Sequence, residues 1–130
     1  ASLSGSETVG IVEFLMTIEN PSDRIKQAVQ SAVTWLDNVK LTGITTKTIT
    51  DPTQPSGKDV IVVQVADATS WARFYDLDTN KPFFCGRDGV KKYSLDQIEN
   101  ERRVGYGWYG TWPAKLLASG YPAWRAKWVK

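Results

Sequence analysis

Between residues 1 and 40 the apolar positions recur at helical spacing; between 44 and 66 they give way to short β-rich runs. In "LSGSETVGIVEFLMTIEN", Ser4 and Glu7 fit an S-x-x-E capping box, and Val9, Val12 and Met16 then follow one helical face. Asn20-Pro21 breaks this helix. A second follows with a continuous apolar stripe, Ile25, Ala28, Val29, Ala32, Val33, Leu36 and Val39, and with Ser22 or Asn20 as its N-cap. Two amphipathic helices with a short break between them predict a helical hairpin over 1–40. After Gly43, "ITTKTIT" and "DVIVVQV" flank the turn-forming "DPTQPSG" and predict a long-looped β-hairpin over 44–66.

The pattern then loses regularity. "WARFYDL" is a candidate third strand, and Ser94 with Gln97 fits another capping box, predicting a short helix to about Arg103. Residues 105–120 are rich in glycine and rings and read as loop, and "YPAWRAKW" reads as a short terminal helix with Pro122 in its first turn. The fold class this predicts is mainly α, with a small β-hairpin and long irregular segments. Residues 1–130 form a single unit, in which 71–130 is the arginine- and aromatic-rich, groove-forming part. An irregular, ring-rich tail does not satisfy its own backbone and normally lies across a larger scaffold, part of which is expected outside this chain.

Composition narrows the chemistry. With 130 residues the chain is one domain or less, and its apolar runs are far too short to span a bilayer. The start "ASLSGSETVG" lacks the basic and apolar regions of a signal peptide, which says nothing about export. There is no histidine and one cysteine, Cys85. That removes Ser-His-Asp and Cys-His catalysis, histidine- and four-cysteine-based zinc sites and any internal disulfide, and leaves Cys85 as a packed or neutral thiol. Acid–base work falls to Asp, Glu, Lys, Arg or Tyr. The net charge of +2 conceals a split: residues 1–70 hold five basic against eight acidic groups, residues 71–130 eleven against six. Only Phe14 and Trp35 precede Trp71 among the aromatics. The second half is built to meet an anion that also offers faces for ring contact.

Arg73, Arg87 and Arg102 lie on three segments, each beside rings or glycine. A guanidinium presents a planar donor fork that matches a carboxylate, so several converging on a cleft would bind a repeating acidic ligand. The plainer alternative is local ion pairing, Arg73 with Asp76 and Arg102 with Glu99 or Glu101. Arg87 stands apart, because "CGRDG" flanks it with glycines that permit close approach. "GYGWYG" offers Tyr106, Trp108 and Tyr109 as a stacking platform; the alternative is that Trp108, Tyr109 and Trp112 are core rings. No phosphate-binding glycine motif and no nucleic-acid module signature is present, so nucleic acid is not the expected partner.

"SLSGSETVGIVEFLM", "WARFYDLDTNKPFFCGRDGVKKYSLDQIENERRVGYGWYGTWP" and "YPAWRAKW" together resemble the C-terminal part of family 10 polysaccharide lyases, bacterial pectate lyases, from Leu3 to about Trp128 and most weakly over 41–66. The resemblance implies the C-terminal section of an incomplete (α/α)3 toroid. It also implies calcium-dependent cleavage of polygalacturonate by anti β-elimination and a secreted protein. By the same resemblance Arg87 is the base that takes the C5 proton, and Arg73 with Arg102 or Arg103 binds uronate carboxylates. Arginine is a poor base by default, because it stays protonated in almost every protein. Calcium-loop spacing is not visible in 1–130, which places the calcium ligands mostly in an amino-terminal part of the catalytic module, the expected partner along with pectin. The alternative reading is a non-catalytic pectate-binding module derived from such a lyase.

Overall fold

The structure is a computed structural model and describes residues 1–129. A two-residue strand, β1 (Leu3–Ser4), leads into α1 (Glu7–Met16). Ser4 Oγ accepts the Glu7 amide at 3.0 Å and donates to the Glu7 carboxylate, so the two residues of the predicted box do meet, but Glu7 is the first residue of the helix and the N-cap position falls to Ser6. In α2 (Asp23–Val39) Ser22 is the N-cap and accepts the Ile25 amide at 3.2 Å. Val29, Val33, Leu36 and Val39 on its stripe are buried. Among the described residues, no helix is long and apolar enough to cross a membrane.

The strand pair is larger than the sequence predicts. β2 (Leu41–Thr50) and β3 (Lys58–Ala72) are antiparallel, with a register shift between Thr42 and Ile44 at the left-handed Gly43. β4 (Phe74–Tyr75) pairs with β1, Leu3 opposite Tyr75. β5 (Phe84–Cys85) and β6 (Lys91–Lys92) form a tight hairpin. A 3-10 turn at Leu95–Gln97 precedes α3 (Asn100–Gly105), and β7 (Tyr109–Gly110) pairs with the end of β3. A π-helical turn, Leu116–Gly120, runs into α4 (Tyr121–Trp128).

The mainly α class is therefore corrected, and a section of an (α/α)3 toroid is not evident. The described residues are 40% helical and 28% strand, spread over several small sheets. Two causes account for the difference. The hairpin extends well beyond 44–66, and ring-rich segments that read as irregular pair in two-residue strands with distant partners, which answers their need for backbone partners.

Two apolar clusters form the interior. The larger joins α1, α2, Trp71, Tyr75, Leu116 and Trp124; the smaller is Phe84, Leu95, Ile98 and Trp108. The last carbonyls of a helix lack partners within it. Here Trp71 Nε1 donates to Leu36 O at 2.8 Å and the Tyr75 hydroxyl donates to Val39 O at 3.1 Å, fastening β3 and β4 to the end of α2. Burial pushes the Tyr75 hydroxyl up to about 12, so it stays a donor. Gly5 lies against this seam, where a Cβ would fall 2.3 Å from Ala72 O.

Candidate functional site

Arg87 stands at the tip of the β5–β6 hairpin, where the turn closes through Gly89 N–H to Gly86 O at 3.2 Å and Asp88 accepts the Val90 amide. The tip leans on α3. Glu99 Oε1 accepts the Arg87 backbone N–H at 2.7 Å, and a Cβ on Gly86 would lie 2.3 Å from the other Glu99 oxygen. The close approach that glycine permits is thus made by an internal carboxylate. The Arg87 side chain donates through Nε to Glu101 at 2.6 Å and through Nη2 to the same oxygen.

Beside this pair lies a cavity of about 280 Å³ lined by Phe74, Cys85, Gly86, Arg102, Tyr106 and Trp108. Arg87 and Glu101 are the chain neighbours of Gly86 and Arg102 and are not themselves among the residues that line it. The Arg102 Nε is buried without a hydrogen-bond partner, while Arg102 O accepts Trp108 Nε1 at 2.8 Å. Cys85 is half-buried, its thiol donating to Val90 O.

Tyr106 joins the cavity to Arg73. The Arg73 guanidinium lies 4.7 Å over the Tyr106 ring, which stacks on Phe74 at 6.0 Å with 8° between planes. Phe74 stacks in turn on Phe83, over which Lys91 Nζ lies at 4.8 Å. Three rings are thus bounded by a cation at each end. Arg73 pairs with Glu7, Nη2 to Oε1 at 2.7 Å, and not with Asp76; its Nε is likewise buried and unpartnered. The Ser4 hydroxyl and then Arg73 hold the Glu7 carboxyl below the usual carboxylate range.

The remaining residues singled out by the sequence divide. Tyr106 is exposed, whereas Trp108 is buried in the smaller cluster and Tyr109 packs its half-buried ring 5.5 Å from Phe84. Tyr106 and Trp108 also wall a second cavity of about 410 Å³ reaching Thr46 and Val60 on the long hairpin. Arg102 and Arg103 part company. Arg102 lines the first cavity, and Arg103 turns inward to Asp59, Nε to Oδ1 at 2.8 Å, with Nη1 on Ile98 O. Arg103 holds the Asp59 carboxyl below its ordinary range. Glu7 and Phe74 join this arrangement without a mark in the sequence: Glu7 belongs to a helix-capping pattern, and nothing local links it to Arg73.

Calcium takes six to eight oxygen ligands. Among the described residues no group of three or more Asp, Glu or Cys side chains is placed to hold a metal ion. The acids near the site are already engaged: Asp76 accepts two backbone amides, Lys91 and Tyr93, which bring its carboxyl to about 2, the Asp78 amide first. These residues do not fit a calcium site.

A family model described as pectic acid lyase matches residues 1–117. Among solved structures, a mutant of a family 10 polysaccharide lyase from Cellvibrio cellulosa in complex with trigalacturonic acid matches with a TM-score of 0.76 and 36% identity, over 99% of this chain and 37% of that one. A structure of family 10 polysaccharide lyase from Cellvibrio cellulosa matches at 0.77 and 37% identity, over 93% of this chain and 36% of the other. No curated protein matches. The chain spans little more than a third of the length of these structures.

Proposed function

The chain belongs to the pectic acid lyase family, and on that footing we propose that it is the section of a polysaccharide lyase that grips the carboxylates of polygalacturonate while the polymer is cut by β-elimination. One observation carries this reading: Arg73, stacked on the Tyr106 ring that lines the cavity, and Arg87, next in the chain to its Gly86, each already hold a carboxylate, from Glu7 and Glu101. A uronate offers the same group to the same donor forks.

In β-elimination a base takes the C5 proton, the C5 electrons form the C4=C5 double bond, and the C4–O bond breaks, its electrons leaving with the departing oxygen. Negative charge builds on the C6 carboxylate as the C5–H bond breaks. Guanidinium groups fixed there stabilise that charge more than the ground state. In our reading Arg87 and Arg73 supply the fixed cations, Arg102 adds its buried, unpartnered Nε from the cavity wall, and Tyr106 offers a face for the sugar ring. The calcium that the resemblance implies does not fit these residues; we assign its ligands to the remainder of the lyase, the partner that completes the site. With pectin as substrate, the place of action is outside the cell.

A second reading, in which Arg87 is the base, draws on its exposure, 70% for the side chain. It requires a guanidine nitrogen released from Glu101 and stripped of a proton, a demanding condition for arginine. Arg87→Lys in the intact protein separates the two, with kcat and KM on polygalacturonate followed by ultraviolet absorbance of the unsaturated product. As a clamp whose hold tightens as charge builds on the carboxylate, Arg87 gives kcat/KM lowered about tenfold, with kcat falling by no more than that, the scale of one charge-assisted hydrogen bond. As the base, it gives a kcat loss of about 10²–10⁴. Unchanged kcat and KM would remove Arg87 from both roles. Retention on polygalacturonate that weakens with salt, with no unsaturated product from the intact protein, would leave the binding-module reading standing.

A further inference from the structure

Two carboxylates on either side of the start of α3 hold Arg87 in unlike ways. Glu99 meets its backbone: Oε1 accepts the Arg87 amide at 2.7 Å, and the carboxylate packs so closely on Gly86 that a Cβ there would sit 2.3 Å away. Glu101 meets its side chain, through Nε and Nη2, with 70% of the arginine and 60% of the glutamate side chain exposed. We infer that Glu99 is a positioning residue that sets the hairpin tip and so aims Arg87, whereas Glu101 is an exchangeable occupant of the guanidinium that an incoming sugar-acid carboxylate displaces. This rests on the reading of the site as one for acidic sugars and adds what two of its acids do.

The contacts decide the assignment. A ligand carboxylate approaching the Arg87 fork takes the donors Glu101 now holds, and an exposed ion pair gives them up at small cost. The same ligand has no use for the Arg87 amide, which points at the Glu99 carboxylate just ahead of α3 and loses its partner if Glu99 is removed. The hairpin tip is shaped around that contact, since at Gly86 only a hydrogen leaves room for it. Glu99 therefore supports binding although its charge opposes an anion, and Glu101 opposes binding with both its charge and its position.

A general field effect predicts that removing either negative charge tightens an anion site. The present assignment predicts opposite signs. In the intact protein, calorimetric titration with trigalacturonic acid gives about threefold tighter binding for Glu101→Gln and about tenfold weaker binding for Glu99→Ala. Glu99→Gln, which keeps an oxygen for the Arg87 amide, stays within about twofold of the parent. Both effects disappear in an Arg87→Ala background, a coupling that a merely structural loss at Glu99 does not produce. Melting temperatures measured alongside show whether Glu99→Ala has unfolded; the Glu101→Gln and Glu99→Gln results decide the matter even then. Tightening by Glu99→Ala, no tightening by Glu101→Gln, or effects that persist without Arg87 would overturn the assignment and leave the functional reading intact. A parent protein that does not bind trigalacturonic acid overturns both.

Discussion

Arg103 and Arg87 each grip one carboxylate with two guanidine nitrogens, Arg103 on Asp59 and Arg87 on Glu101. The side chains of the first pair are 13% and 12% exposed, those of the second 70% and 60%. In the first, little water reaches the pair, Asn100 adds a hydrogen bond at 3.3 Å, and the loss of either partner leaves a largely buried charge unpaired. In the second, water replaces either partner at little cost. The same bond type therefore fastens β3 to α3 in one place and holds a surface guanidinium loosely in the other. Burial, not the identity of the residues, separates these two pairs: Arg103 supports the fold, and the Arg87 guanidinium stands open to solvent.

The sharpest way to break that contrast is Arg103→Ala. It leaves Asp59 without its ion-pair partner beside the buried Asn100, and the expected cost is about 3 kcal/mol in chemical denaturation; a loss below about 1 kcal/mol would make the two pairs alike. Acid titration comes next. Asp76, whose ordinary value is 3.8, sits at about 2 in the folded chain. A carboxyl lowered on folding adds stability above its unfolded value and gives that up as pH falls through the folded one. Stability should therefore decline between about pH 4 and pH 2, and Asp76→Asn should flatten that part of a melting-temperature profile. The smallest effect is expected from Glu101→Gln, which should change stability by no more than about 0.5 kcal/mol. A loss matching that of Arg103→Ala in the same denaturation series would show that exposure does not separate the pairs.

Where structure follows local periodicity, the sequence was readable. The α2 stripe with its Ser22 cap and the terminal helix opened by Pro122 depend on neighbours within a turn or two. Elements decided by distant partners were not. Leu3–Ser4 becomes a strand because Phe74–Tyr75 lies beside it, and Tyr109–Gly110 because Trp71–Ala72 does; two residues alone carry no strand pattern. The π-helical turn at Leu116–Gly120 was hidden by Ser119 and Gly120, which read as loop, and it holds through burial of Leu116. The same limit governed the site. "ERR" left Arg102 and Arg103 equivalent, since the difference between them is Asp59, far along the chain. Arg73 had an acid three residues away in Asp76, yet its partner is Glu7, brought close by the pairing of β1 with β4. Glycine and ring neighbours picked out the arginines, while their carboxylates had to be seen in place.

The fastening of Trp71 and Tyr75 to the end of α2 has a consequence for the arginine midway between them. Arg73 is the bend between β3 and β4, where its amide donates to Trp108 O at 2.8 Å and its carbonyl accepts the Gly5 amide at 3.1 Å. The backbone that aims the guanidinium is thus tied on both sides, with a buried anchor two residues away on each flank. Damage near the helix terminus should therefore be felt at that guanidinium, although the two share no contact.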